Sequence, residues 1–133
     1  MSRKSLVAGA TAVAAITLGF GLGGAYASAK DKPPKPQKGT IWAVVKSDGT
    51  PVRRSKDIAS VLHIAPGQYR VFAKGDVRNC AYLANGGDVG LGIPPRTYAD
   101  VAQGFADTRS VFVETYDSTG TRVDSDFYVA ILC

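Results

Sequence analysis

Few residues in this chain have the types and spacing needed for chemistry. One histidine, His63, and two cysteines, Cys80 and Cys133, are the whole complement of those types. A Ser-His-acid arrangement would have to use His63, which lies in "IASVLHIA" shortly before Pro66-Gly67, on the same strand face as Val61 and Ala65. That setting suits a partly buried, hydrogen-bonded imidazole, and no serine sits in a G-x-S-x-G elbow. Two thiols and one imidazole are too few for a tetrahedral metal site without help from carboxylates. Asp117, Asp124 and Asp126 are close in sequence, as calcium binding or glycoside hydrolysis would need. Their spacing misses D-x-[DN]-x-[DN]-G, however, and Glu114 is the only glutamate. Arg122 lies among them, so local charge pairing in a hairpin is the simpler expectation. No catalytic residue, metal or cofactor is assigned.

The glycine-rich stretch "NGGDVGLGIPPRT" has the look of a phosphate cradle, but it lacks both the G-x-G-x-x-G order and a Walker lysine. Pro94-Pro95 also follow where a helix would have to start. It reads as a long loop, and long loops in compact domains are often used for binding. Asp88, Leu91, Ile93 and Arg96 are its candidate binding residues. The competing reading is a connector between two sheets.

The cysteines make sense once the amino-terminal residues are read. Arg3 and Lys4, an apolar stretch from Leu6 to Phe20 and the small residues Ala27-Ser28-Ala29 have the layout of a secretory signal peptide over residues 1–29. The stretch is short and interrupted by glycines, so it would span a bilayer poorly. With no cysteine near the cleavage point and no twin arginine, the expected product is released by general secretion, with no membrane association afterwards. In that oxidising setting, Cys80 and Cys133 most simply form one disulfide. Closing that loop is worth roughly 4 kcal/mol on the chain-entropy model.

Charge divides along the same boundaries. The chain carries a formal +5. Residues 30–38, "KDKPPKPQK", hold four lysines and one aspartate and read as a proline-stiffened linker. From Gly39 onward there are ten basic and ten acidic residues, so the domain's total charge gives no basis for nucleic-acid binding. Residues 39–133 are enough for one domain.

Its pattern is short runs of Val, Ile, Tyr and Phe between Gly, Asp, Asn and Pro, with no sustained helical period. Strands are predicted at 40–47, 58–65, 69–74, 80–84, 98–103, 111–117 and 126–133, with a short paired segment at 51–54. Asp48-Gly49, Pro66-Gly67 and Ser118-Thr119-Gly120 supply turns. About seven strands at this spacing predict an all-β antiparallel sandwich or small barrel. "IWAVV", "VFV" and "FYVAIL" are apolar on both faces. Phe127, Val129, Ile131 and Cys133 point one way, and Tyr128, Ala130 and Leu132 the other. The second face needs cover from a loop, from barrel closure or from another copy in a homo-oligomer.

These elements in order are "WAVV" with a following D-G-T turn, "CAY", "VFVETYD" and a final F-x-x-A-x-L-C. Together they resemble small secreted proteins of actinobacterial type, a family without a characterised activity. The resemblance spans nearly all of residues 39–133 and implies no catalytic residues. The expected function is that of a secreted, non-enzymatic β-module that binds an extracellular or envelope component or assembles with itself. The alternative is a secreted inhibitor whose constrained loop enters the cleft of an extracellular enzyme.

The disulfide is directly checkable. Intact mass of the non-reduced protein should be lower than that of the reduced protein by one pair of hydrogens within a single chain, and free thiols would contradict the pairing.

Overall fold

Runs of β-branched and aromatic residues place alternate side chains on opposite sides of an extended backbone, and each run forms a strand where turn residues bound it. The computed structural model describes residues 32–90, 92 and 95–133. The predicted signal peptide and two candidate loop residues, Leu91 and Ile93, lie outside the described residues.

Among the described residues eight strands form: β1 (Thr40–Val45), β2 (Pro51–Arg54), β3 (Ile58–Ala65), β4 (Gln68–Ala73), β5 (Ala81–Gly86), β6 (Tyr98–Gln103), β7 (Ser110–Tyr116) and β8 (Phe127–Leu132). They make two four-stranded antiparallel sheets, with orders β2-β1-β8-β5 and β3-β4-β7-β6. The short segment at Pro51–Arg54 is the eighth strand. Among the described residues no ladder joins the edges of the two sheets, so the architecture is a sandwich and not a closed barrel.

The inner faces follow the alternation. Ile41, Ala43 and Val45 of β1 and Phe127, Val129 and Ile131 of β8 face Tyr69, Val71 and Ala73 of β4 and Val111 and Val113 of β7. All are 2% exposed or less, and each large side chain removed from water here is worth about 1.5–3 kcal/mol before entropy is counted. Polar groups that enter the core bring partners: Thr115 Oγ1 donates to Val123 O at 2.6 Å and Ser110 Oγ to Asp107 O at 3.0 Å. Gly67, in the β3–β4 turn, has φ 67°, and a Cβ there would press on the Thr115 carbonyl at 2.8 Å.

The sheet margins are managed locally. Edge strand β3 carries two register shifts along its ladder with β4, and Arg54 Nη1 donates to Ala59 O at 3.0 Å, so a β2 side chain caps part of that edge. The lysine-proline segment is stitched to the domain at its end. Gln37 N donates to Asp76 O and Asp76 N to Lys35 O, both at 2.8 Å.

Cys80 and Cys133 are bonded, with Cα atoms 4.5 Å apart. The bridge lies within one sheet, beside the Ala81–Leu132 pair that begins the β5–β8 ladder. On the other side, Cys133 N donates to Gly39 O at 3.1 Å, just before β1. The end of β8 is therefore held to both of its neighbours. Replacing both cysteines with serine should lower unfolding stability by about 4 kcal/mol in urea titrations. A change under about 1 kcal/mol would show that the ladder holds without the bridge.

Candidate functional site

At one end of the sandwich, polar groups from three turns converge on Asp124. Its Oδ1 accepts from Gly67 N at 2.7 Å, pairs with His63 Nε2 at 2.8 Å and lies 3.4 Å from the Tyr69 hydroxyl. The Tyr69 hydroxyl donates to Ser47 O at 2.7 Å, and the rings of His63 and Tyr69 stack with centroids 4.9 Å apart. The cluster thus joins the β3–β4 hairpin, the segment after β1 and the segment before β8. The Gly67 N–H, followed by the His63 side chain, holds the Asp124 carboxyl below its ordinary value. Burial, followed by the charge of Asp124, pushes the Tyr69 hydroxyl up to about 12. Among the described residues, Asp124 is the only hydrogen-bond partner of the His63 ring, so no serine or threonine hydroxyl is placed for activation.

The expected pairing of Arg122 with its neighbouring aspartates does not form. Arg122 Nη2 instead meets Glu114 at 2.8 Å on the outer face of β7, where Gln68 and the Tyr116 hydroxyl also donate to the same carboxylate. Asp117 Oδ1 is occupied by N–H groups of Thr119 and Thr121 and by the Thr119 hydroxyl, and Asp124 is held by the cluster above. Asp126 is likewise committed, accepting from Ser47 N at 2.7 Å and Val89 N at 3.2 Å. Among the described residues, no three His, Cys, Asp or Glu side chains are grouped to hold a metal ion.

The glycine-rich loop runs from β5 in one sheet to β6 in the other. Its first residues are anchored: the Tyr128 hydroxyl donates to Asp88 O, and a Cβ at Gly87 would collide with the Tyr128 ring. Asp88 is half-buried and accepts from Gly90 N at 2.6 Å, while Arg96 is exposed. Among the described residues the two form no ion pair.

An apolar surface hollow lies on the outer face of the β2-β1-β8-β5 sheet. Cross-strand register aligns Trp42, Ala130 and Leu83 in one row and Val44, Tyr128 and Asn85 in the next. Small Ala130 between two large neighbours leaves an apolar hollow of about 520 Å³. Trp42 is 42% exposed, Leu83 61%, Leu132 40% and Tyr128 38%. Among the described residues, the loop meets this face at Tyr128, through Gly87 and Asp88. Tyr128, Ala130 and Leu132 are legible in "FYVAIL", whereas Trp42 and Leu83 do not stand out in the sequence. Their signal is the two-sided "IWAVV" and a leucine opposite Tyr82 and Ala84 in strand parity. Comparison with family models, with curated proteins and with solved structures returns no match.

The Asp124 cluster predicts an acid limb. A carboxyl that titrates below 3.8 when folded adds stability above its unfolded pKa, and this is lost as pH falls through the depressed folded value. Asp124→Asn keeps an acceptor for Gly67 but removes the charge, so its stability should fall less steeply with acid. The difference should stay under about 1 kcal/mol because the side chain is nearly half exposed. Matching acid limbs in urea titrations would contradict it.

Proposed function

We propose that this chain is an exported β-module that acts by non-covalent binding through the outer face of the β2-β1-β8-β5 sheet, and not by catalysis. The observation that carries the reading is the exposed Trp42–Ala130–Leu83 row beside Tyr128. A half-wet antiparallel sheet ordinarily presents polar residues outward, and contiguous apolar surface of this kind marks interaction sites. Trp and Tyr are also the residue types that dominate binding energy where a surface is desolvated.

Two features support export. The charged start, apolar stretch and small-residue end of residues 1–29 have the order of a secretion signal, and the Cys80–Cys133 bridge suits an oxidising compartment. The His63–Asp124 pair is explained by its role in joining three turns, which leaves the apolar face as the feature that folding alone does not require.

The experiment is capture from the producing cell's envelope and secretome, comparing wild type with Trp42→Ser/Leu83→Ser and with Arg96→Ala. Circular dichroism confirms folding of each. Species retained by wild type and by Arg96→Ala but lost by the patch variant are the expected result. Capture unaffected by the patch variant, or lost only with Arg96→Ala, would move the binding surface to the loop.

A further inference from the structure

We infer that the hollow on this face takes a free amphiphile, with its hydrocarbon body over Ala130 and its anionic headgroup toward Arg53. This rests on the reading of the face as a binding surface and states what it binds. Ala130 pairs with Trp42 on one side and with Leu83 on the other, so a methyl floor lies between two large apolar walls. Tyr128 closes one end and is held there by its bond to the Asp88 carbonyl. A hollow of about 520 Å³ falls in the range of small-molecule sites, which are mostly apolar with a few polar groups fixing orientation.

Charge selects the headgroup. Arg53 stands cross-strand from Val44 and is the only charged side chain within the strand registers of this face. Lys46 follows at the end of β1 and is exposed; among the described residues neither cation enters an ion pair. The nearest acid along β8, Asp126, has both oxygens engaged by backbone N–H groups. The Asp48 carboxyl feels the charge of Lys46, which leaves Arg53 as the cation beside the apolar contact.

A second copy fits this surface less well. It would bring the same cations with no carboxylate in the registers to meet them, and like charges across an interface oppose association. A bilayer calls for apolar side chains projecting from the surface, whereas here they wall a concavity.

Trp42 is the only tryptophan in the chain and lines the hollow, so its emission reports occupancy. The exported chain is titrated with decanoate, decanol and decyltrimethylammonium below their micelle concentrations. Decanoate should give a saturable blue shift, decanol a weaker one and the cationic amphiphile the weakest. Arg53→Glu should weaken decanoate binding about fivefold, and Ala130→Phe should abolish it by filling the hollow. Leu83→Ser serves the same purpose should Ala130→Phe fail to fold. No saturable response to decanoate overturns the inference. Equal response to all three headgroups also overturns it, while leaving the face a binding surface. A concentration-dependent dimer that shields Trp42 assigns the face to a second copy, and a response confined to anionic vesicles assigns it to a bilayer. Loss of patch-dependent capture removes the wider reading instead.

Discussion

β8 pairs on both sides, with β1 and with β5, and this double pairing is the constraint on which the rest of the structure depends. A central strand has no free edge, so its chemistry is confined to two faces set by the pleat. Phe127, Val129 and Ile131 form the middle of the core on one face, packed against the sheet that carries Tyr69 and Val71. The register that buries them also sends Tyr128, Ala130 and Leu132 outward. A slip of one residue would exchange the two sets, and the disulfide beside the Ala81–Leu132 pair opposes such a slip. Stability and surface chemistry are thus written into alternate residues of one strand.

The neighbours of β8 extend both patterns. Trp42 and Val44 of β1, with Leu83 and Asn85 of β5, are the outward counterparts of inward Ile41, Ala43, Tyr82 and Ala84. Ala130 is the smallest residue in its row, and its size makes the face concave. At the end of the sandwich, the Asp124 cluster bonds the segment after β1 and the segment before β8 to the β3–β4 hairpin of the other sheet. That cluster explains the lone histidine in structural terms: His63 stacks on Tyr69 and shares Asp124 with the Gly67 turn.

Much of the fold is legible in the sequence because strands declare themselves locally. Alternation in "QYRVFA" and "FYVAIL" places the correct residues inside, and a single pair of cysteines behind a signal-like start predicts the bridge that forms. What the sequence does not disclose is contact between distant turns. His63 and Asp124 are 61 residues apart and meet only because two hairpins end at the same place. Arg122 shows the converse error: proximity in sequence pointed to the adjacent aspartates. The chain folds back at an isolated bridge between Tyr116 and Arg122, which brings the guanidinium to Glu114 on β7. Leu83 is obscure for another reason, since "AYLAN" is apolar in both parities until the partner strand is known. Of the candidate loop residues, Asp88 and Arg96 are described, half-buried and exposed respectively.

The central claim is that the apolar outer face is open in the isolated protein and is covered when the protein works. Acrylamide quenching of Trp42 fluorescence measures this most directly. The predicted result is efficient quenching in the purified chain at every concentration, with marked protection once the producing cell's extracellular material is added. Shielding of Trp42 in the purified monomer, or quenching unchanged by that material, would contradict the account.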